Sequence, residues 1–261
     1  MIYLKLLRPK DWAKNLFLYI PLFFAGEIFN WIKVFHVFEG FVAFCCIASS
    51  IYIINDYTDK EDDKKHPEKR NRPIASGAVS PTVALTIFAI LVVAGFVTAY
   101  FINSRFLFLL ALYFFLNIGY SFGLKNIPIL DIFIIAIGFA LRVRSGGNIA
   151  KVDVTIWLNI MIFLLALFMA AGKRRDDVLL KISSGNDMRK SVKGYTLDFL
   201  NALLALISSV MIVSYFMYTV SDRVIERHET NRLYLTSLFV MAGIMRYLQI
   251  IYVNADSGSP T

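Results

Sequence analysis

The stretch that decides the fold runs from Val34 to Asp63 and reads VFHVFEGFVAFCCIASSIYIINDYTDKEDD. Its apolar part, residues 34 to 54, is close to the ~20 residues that a helix needs to cross ~30 Å of hydrocarbon. At Asn55 the composition changes abruptly, and acids and bases follow one another through Asp63. The stretch therefore predicts a membrane-spanning helix whose end carries a group of charged side chains.

Apolar runs of similar length recur along the chain of 261 residues, of which 57% are hydrophobic and 18% charged. A soluble domain carries more charge and less apolar mass. Solid apolar blocks favour helices over a closed barrel, whose strands alternate, and open sheets cannot cross lipid with unpaired edges. The sequence therefore predicts an all-α, polytopic transmembrane bundle that forms a single domain over residues 1 to 261. Its eight spans have cores near residues 15 to 30, 34 to 54, 79 to 101, 105 to 120, 129 to 148, 154 to 172, 197 to 219 and 233 to 253.

The net charge of +8 is explained by topology and does not require a nucleic-acid partner. With the N-terminus in the cytoplasm, most Lys and Arg residues fall on inner segments, as the positive-inside rule requires. The basic start of the chain has no small-residue cleavage site after its first apolar run, so we expect no cleavable signal. We expect an integral protein of the cytoplasmic membrane, with its active face on the inner loops 55 to 77, 120 to 131 and 172 to 196.

Three carboxylates at the end of the opening stretch share one face of a helix. Asp56, Asp59 and Asp63 stand at i, i+3 and i+7, and at about 100° per residue Asn55 joins them if the helix continues. Like charges held together need a cation, and hard oxygen ligands suit Mg²⁺, which commonly bridges one or two carboxylates to phosphates. The pattern predicts that the three Asp side chains bind Mg²⁺ and that Asn55 contacts a diphosphate.

A basic run directly follows these acids and favours the diphosphate site over the plain alternative, an acidic helix end exposed to solvent. Lys69, Arg70 and Arg72 can hold the phosphate oxygens that a metal leaves free. The two X-Pro pairs His66-Pro67 and Arg72-Pro73 predict local turns, because the residue before Pro is pushed out of the helical region. We therefore predict that the three bases bind substrate.

Four segments carry a resemblance to a known family. The spacing Asn-Asp-x-x-Asp-x-x-x-Asp at 55 to 63, with Arg72-Pro73 and Ser76-Gly77 behind it, resembles the first signature of the UbiA prenyltransferase superfamily. Within it, the sequence is most similar to the decaprenyl-phosphate phosphoribosyltransferase branch. The segments that carry this closer similarity are Leu7-Arg8-Pro9-Lys10-x-Trp12-x-Lys14-Asn15, His66-Pro67-x-Lys69-Arg70-x-Arg72-Pro73-Ile74-Ala75, Tyr120-Ser121-x-x-Leu124-Lys125 and Ala170-Ala171-Gly172-Lys173-Arg174.

The resemblance implies a reaction. It implies transfer of phosphoribose from phosphoribosyl pyrophosphate to a polyprenyl phosphate, with release of pyrophosphate and with Mg²⁺ on the first Asp motif. The product would then feed arabinose donors for cell-envelope polysaccharide. The family fold is a bundle of nine helices, so eight spans before the polar ending Asn254 to Thr261 lead us to expect that the ninth helix is missing.

Further bases lie near predicted inner ends or deep in a span. Lys14 is either an interfacial Lys or a phosphate ligand, and the resemblance favours the ligand, together with Asn15. Lys125 lies in an inner loop too short to leave the site, which predicts substrate binding. Arg142 lies about eleven residues, or roughly 16 Å, into its span. A charge at that depth defaults to a functional role, so Arg142 is preferred to Arg144 as a catalytic residue beside Asp56 and Asp59.

The segment after the sixth span departs from the family pattern. Prenyl-transferring members carry a second Asp-rich motif there, whereas here Lys173, Arg174 and Arg175 precede Asp176 and Asp177. We expect Lys173 and Arg174 to bind phosphate, and whether the two acids contact metal or ribose stays open. The departure favours a second anionic substrate.

Two other functions remain open. The first is prenyl transfer to an aromatic or lipid acceptor, which would use the same first motif but predicts a complete second one. The second is a transporter or non-catalytic membrane protein, which predicts inverted repeats or polar residues scattered over many spans. Residues 172 to 177 show only a partial second motif, neither inverted repeats nor scattered polar residues are evident, and the acids lie at one face.

Overall fold

The computed structural model describes residues 2–65, 69–184 and 194–253, and within these ranges it contains helices and no strand. Its α-helices are α1 (Ile2–Leu7), α2 (Ile20–Phe24), α3 (Trp31–Thr58), α4 (Lys60–Lys65), α5 (Pro81–Ile102), α6 (Ser104–Ser121), α7 (Leu130–Ala150), α8 (Ile156–Ser184), α9 (Leu197–Thr219), α10 (Asp222–His228) and α11 (Ser237–Val253). Short 3₁₀ helices cover Pro9–Tyr19, Lys69–Asn71, Leu124–Asn126 and Leu233–Thr236. The polar ending from residue 254 and the His66-Pro67 pair lie outside the described residues.

Seven helical segments in the described part of the chain are long and apolar enough to cross a membrane. They contain α3, α5, α6, α7, α8, α9 and α11. Large apolar side chains project outward from them, among them Phe101 and Phe239, each 80% exposed. Such exposure suits contact with lipid, since every backbone group inside a helix is already paired. The expected all-α transmembrane fold is confirmed, and the chain is an integral membrane protein.

The segment from 15 to 30, predicted as the first span, is helical but is not one long α-helix. It comprises most of the 3₁₀ helix Pro9–Tyr19, then α2, which ends at Phe24. Pro21 has no N–H to continue an α-helical ladder, and Gly26 has a φ of 74°, in the left-handed region. Hydrogen bonds from Lys33 and Asn30 lower the pKa of the Glu27 carboxyl, and they tie the loop to the start of α3.

The chain divides into two compact units, Met1–Val154 and Thr155–Thr261. In the first unit, α3 packs against α5, α6 and α7, and the 3₁₀ helix Pro9–Tyr19 packs against α3 and α7. Phe44, Phe106 and Tyr113 belong to its core. Gly146 of α7 lies so close to Leu18 that an added Cβ would overlap its backbone carbonyl. Small residues permit this close approach, as in other membrane helix pairs.

In the second unit, α8 and α11 both pack against α9. The guanidinium of Arg175 connects all three helices, because it donates to the side chain of Asn201 at 2.8 Å and to the carbonyl of Ile251 at 3.0 Å. The Tyr252 hydroxyl donates to the Asn201 carbonyl at 3.1 Å. The expectation of a single domain over the whole chain stays a prediction.

Candidate active site

The three predicted metal ligands, Asp56, Asp59 and Asp63, lie at the C-terminal end of α3 and are called the acidic cluster below. The α-helix ends at Thr58, but the chain stays nearly helical, because the Asp59 amide donates to the Asn55 carbonyl at 3.0 Å and the Asp63 amide donates to the Asp59 carbonyl at 2.8 Å. Asp56 and Asp63 are buried, and the Asp59 side chain is 28% exposed. The predicted sharing of one helical face therefore holds for Asp56 and Asp63, whereas Asp59 has a different partner.

Arg72 connects the two buried acids. Its Nη1 atom donates to Oδ1 of Asp56 at 3.0 Å and to Oδ2 of Asp63 at 2.7 Å. A tight turn holds it there, since the Ser76 amide donates to the Arg72 carbonyl at 2.9 Å. Ile74, in the same turn, is buried in a small apolar cluster against α3. The basic run thus folds back onto the acids through Arg72, whose role in substrate binding stays a prediction.

Arg8 is a second partner of Asp56, and the sequence reasoning did not select it as a site residue. Its Nη2 lies 2.5 Å from Oδ1 of Asp56, and its guanidinium stacks over the ring of Tyr52 at 5.0 Å. Arg8 has a φ of 52°, a left-handed conformation that L residues rarely adopt. The sequence signal that could have identified Arg8 is its position in the Leu7-Arg8-Pro9-Lys10 segment, which carries part of the family resemblance.

A hydrogen-bonded relay fixes the segment that carries Arg8. The Trp12 indole donates to the Ser49 hydroxyl at 3.0 Å, and that hydroxyl donates to the carbonyl of Leu7 at 2.8 Å. Ser49 is buried in α3, so the chain on either side of Arg8 is attached to the same helix as Asp56. The strained backbone at Arg8 is therefore held from both sides.

Lys125 reaches the acidic cluster from the loop after α6. Its Nζ donates to Oδ1 of Asp59 at 2.5 Å and to Oδ1 of Asn55 at 3.2 Å. Gly123, with a φ of 143°, turns the chain into the 3₁₀ helix that presents the Lys. A conformation of this kind favours glycine. The structure thus places Lys125 and Asn55 together with the acids, as the sequence predicted.

Each acid of the cluster has at least one basic partner, and three acids face three bases: Arg8, Arg72 and Lys125. Acidic and basic side chains therefore contact one another at the end of a membrane helix. Guanidinium and ammonium groups at this place can exchange a carboxylate for a phosphate oxygen, since both are oxyanions of similar geometry. The site is suited to binding an anion together with a cation.

The donor set also fits a divalent metal. Mg²⁺ takes oxygen ligands, commonly one or two carboxylates together with water and substrate phosphates. Carboxylate oxygens of Asp56 and Asp63 both lie within 3.0 Å of a single nitrogen, so two such ligands already point to one place. Across residues 2–65, 69–184 and 194–253, no three Asp, Glu, His or Cys side chains group closely enough to hold an ion together. Joint binding by all three Asp residues stays a prediction.

The structure places Arg142 in the core, among groups that satisfy it. Its Nε donates to Asn15 at 2.8 Å, its Nη1 to the Gly138 carbonyl at 3.0 Å and its Nη2 to the Tyr113 hydroxyl at 2.8 Å. The rings of Tyr113 and Phe139 lie 4.7 and 5.4 Å from the guanidinium carbon. These contacts favour a structural role for Arg142 and Asn15, and their predicted roles in catalysis and substrate binding stay predictions.

Three further predicted ligands lie near the surface. Lys14 pairs with Asp11 at 2.7 Å, one helical turn away. Lys69 and Arg70 form most of a short 3₁₀ helix, in which Arg70 is exposed. The structure therefore brings Arg72 of the basic run to the acids, and it leaves the roles of the other bases as predictions.

The bases after the sixth predicted span lie in a helix and not in the loop that the sequence suggested. α8 continues to Ser184, so Lys173 and Arg174 belong to it. Neither Gly nor Pro interrupts the chain between Gly172 and Gly185, and Arg174 donates to Asp177 at 2.8 Å across one turn. Such pairs stabilise helices. Residues 185–193 of the predicted loop lie outside the described residues.

Comparisons with known proteins agree with this fold. Residues 16–177 match the UbiA prenyltransferase family. A protein from Mycolicibacterium smegmatis named decaprenyl-phosphate phosphoribosyltransferase is 35% identical, over 98% of this chain and 82% of its own. A protein of the same name from Corynebacterium glutamicum is 34% identical, over 82% of this chain and 66% of its own.

The fold has a solved counterpart as well. The structure of a UbiA homolog from Archaeoglobus fulgidus bound to DMAPP and Mg²⁺ is similar with a TM-score of 0.76, covering 96% of this chain and 87% of that one. At 21% sequence identity this likeness supports the fold alone. The resemblance that the sequence segments indicated is confirmed, and the chain belongs to the UbiA prenyltransferase family.

Proposed function

We propose that the protein is a Mg²⁺-dependent transferase that moves 5-phosphoribose from phosphoribosyl pyrophosphate to a polyprenyl phosphate and releases pyrophosphate. The observation that carries the proposal is the direct contact of Arg8, Arg72 and Lys125 with the acidic cluster. A diphosphate donor and a phosphate acceptor bring two anions together, so their repulsion has to be neutralised by nearby bases. The names of the two bacterial relatives support the same reaction.

The chemistry requires little from covalent catalysis. The bond between C1 of ribose and the pyrophosphate oxygen breaks, and its electron pair leaves with pyrophosphate. An oxygen of the lipid phosphate then forms the new bond to C1. Because that phosphate is already deprotonated, no general base is needed. Arg72 and Lys125 stabilise the charge that develops on the leaving group.

The acids of the cluster supply the metal ligands in this proposal. Asp56, Asp59 and Asp63 would hold Mg²⁺, with Asn55 beside them. When bound, the ion neutralises negative charge on the leaving pyrophosphate. Arg8 then holds the buried Asp56 carboxylate in place, since its guanidinium donates to that carboxylate.

Prenyl transfer is the second candidate, because other members of the family use the same first motif for it. It calls for free carboxylates in the second motif. Here Asp177 is hydrogen-bonded by Arg174 at 2.8 Å, and three bases precede the two acids. This pairing favours phosphoribosyl transfer. We further propose that Lys173 and Arg174 contact a substrate phosphate.

The proposed setting is the cytoplasmic membrane, with the N-terminus and the acidic cluster on the cytoplasmic side. Phosphoribosyl pyrophosphate is a soluble donor, and the excess of inner-side bases fits this orientation. The product would serve as a precursor of arabinose donors for the cell envelope.

The decisive test compares two substrate pairs with the purified full chain in detergent and Mg²⁺. We expect label from radioactive phosphoribosyl pyrophosphate to enter the lipid fraction when polyprenyl phosphate is present. Farnesyl diphosphate with 4-hydroxybenzoate serves as the competing pair. Reaction of the second pair alone would replace phosphoribosyl transfer by prenyl transfer.

A further inference from the structure

A cavity lined by charged and apolar residues lies at the opposite end of the first unit from the acidic cluster. It has a volume of about 580 Å³ and is called the distal cavity below; its lining includes Arg105, Arg144, Asn148, Asp153 and Val154. Arg105 is in the first turn of α6, whereas Lys125, which bonds Asp59, follows the last turn of the same helix. α6 has 18 residues and is therefore about 27 Å long, close to the thickness of the hydrocarbon core. The two sites thus face opposite surfaces of the membrane.

A fixed turn builds one wall of the distal cavity. α7 ends with Lys151 in the left-handed conformation, where the Val152 amide donates to the Gly147 carbonyl at 2.9 Å. This bond is typical of helix C-caps that reverse the chain. Gly147 lies directly against Val154, so that a Cβ there would overlap the Val154 side chain. The wall from 152 to 154 is therefore packed onto α7.

Two guanidinium groups from different helices line this cavity. Arg105 comes from α6 and Arg144 from α7, and both side chains are exposed. Among the described residues, neither takes part in an ion pair. Guanidinium forks match phosphate oxygens, and basic pockets between membrane helices are recognised sites for lipid headgroups. The pair of arginines predicts a phosphate group as the ligand.

The cavity also presents acceptors, which a phosphate alone does not satisfy. Asn148 has a buried side-chain oxygen with no hydrogen-bond partner in the described part of the chain. Asp153 adds a carboxylate to the same lining. The exposed carboxylate of Asp153 attracts a cation, so a ligand with an N–H donor of positive charge next to its phosphate fits better than one without. An ammonium group meets this requirement.

The remaining lining is apolar. Phe108 and Leu109 of α6 and Val152 and Val154 of the wall lie beside the charged groups. Apolar side chains next to charged groups suit a molecule whose polar head continues into acyl chains. This combination favours a lipid over a soluble phosphate compound as the ligand.

We propose that the distal cavity binds a membrane phospholipid with an ethanolamine-type headgroup, in the leaflet opposite to the acidic cluster. Arg105 and Arg144 hold its phosphate, Asp153 receives its ammonium group, and the apolar lining meets the first part of its acyl chains. The site is independent of the transfer reaction, because none of its residues belongs to the acidic cluster or its basic partners.

Native mass spectrometry of the delipidated full chain in detergent tests the proposal. We expect phosphatidylethanolamine to bind more tightly than phosphatidylglycerol, and Arg105→Gln and Arg144→Gln each to weaken its binding about fivefold or more. Arg232→Gln, which removes an exposed arginine that is not among the residues lining the cavity, is the matched control and should change binding less than about twofold. Asp153→Asn should abolish the preference for ethanolamine over glycerol headgroups.

Equal binding of phosphatidylethanolamine by the two cavity variants and by Arg232→Gln would overturn the proposal. Soluble phosphoethanolamine provides the second arm, and binding as tight as that of the lipid would show that acyl chains contribute nothing. A photoreactive phosphatidylethanolamine probes the unsubstituted chain, which removes any dependence on variants that fold poorly. We expect its cross-links on the peptide from 144 to 154, and labelling confined to other helices would contradict the assignment.

Discussion

The ammonium group of Lys125 lies 2.5 Å from the Asp59 carboxylate, although 66 residues separate the two along the chain. The contact joins the loop after α6 to the end of α3, so that the acidic cluster depends on helices that are distant in sequence. The same nitrogen also donates to Asn55 at 3.2 Å. Lys125 therefore organises the exposed half of the cluster, as Arg72 organises the buried half.

Replacing Lys125 tests its role with the substrate. We expect Lys125→Met to lower kcat/KM for phosphoribosyl pyrophosphate about 10- to 100-fold, because a hydrogen bond to a charged group contributes about 1.5–3 kcal/mol. Steady-state kinetics with labelled donor measure the loss. Lys64→Met is the control, since Lys64 is exposed and pairs only with Glu61 among the described contacts. Wild-type kinetics in Lys125→Met would remove this residue from the phosphate site.

The carboxylates of the cluster are expected to be needed for turnover. Asp56→Asn and Asp59→Asn should each reduce kcat about 100-fold or more, since the amide is a weaker metal ligand and cannot balance the bases. Asp62→Asn alters an exposed acid on the same short stretch and should leave kcat nearly unchanged. If an Asp56 or Asp59 variant turned over like the Asp62 variant, that residue would not be a metal ligand.

Removal of divalent metal should stop the reaction reversibly. We expect EDTA to abolish both turnover and donor binding, measured by isothermal titration, and added Mg²⁺ to restore them. The reason is that the acids and a diphosphate repel each other without a cation between them. Donor binding that persists in EDTA would mean that Arg8, Arg72 and Lys125 are sufficient for it.

Replacing Arg142 tests whether this residue has a structural or a catalytic role. We expect Arg142→Gln to lower the free energy of unfolding by about 1–3 kcal/mol for each buried group that it leaves unsatisfied, chiefly Asn15 and Tyr113. Thermal unfolding in detergent measures this effect. Arg246→Gln is the matched control, because Arg246 is an exposed residue of α11. Unchanged stability together with lost turnover would instead support the catalytic role that the sequence suggested.

Two glycines of α7 differ in the space around them. A Cβ at Gly146 would overlap the backbone carbonyl of Leu18, whereas a Cβ at Gly138 would have its nearest neighbour at 3.5 Å. We expect Gly146→Ala to destabilise the fold by about 1–3 kcal/mol through overpacking, and Gly138→Ala to be tolerated. Thermal unfolding of both variants checks this, and equal stability would show that the 3₁₀ helix can move away from α7.

Much of the fold was predictable because a membrane span is recognisable from about 20 consecutive apolar residues. The segment from 15 to 30 is the exception, because Pro21 and Gly26 interrupt the α-helix in a run that is apolar enough to span the membrane. Hydropathy alone does not record such interruptions. The end of α8 was missed for the converse reason, since a helix can leave the membrane without ending, and only the Arg174–Asp177 pair indicates that it continues.

The part of the site whose residues are close together in the sequence was predictable. The spacing of Asp56 and Asp63 identified two acids that share Arg72, because both belong to one nearly continuous helix. The different partner of Asp59 was not predictable, since it depends on Lys125, two membrane helices further on. The contact of Arg8 with Asp56 was not predictable for a similar reason, because no periodic spacing relates the two residues.

The order in which the partners of the acidic cluster are synthesised differs from acid to acid. Arg8 precedes Asp56 in the chain, so this acid has a basic partner available as soon as it leaves the ribosome. Asp59 acquires Lys125 only after α5 and α6 have been made and inserted. Nascent chains that stop before residue 125 therefore carry Asp59 without the lysine that pairs with it in the complete fold.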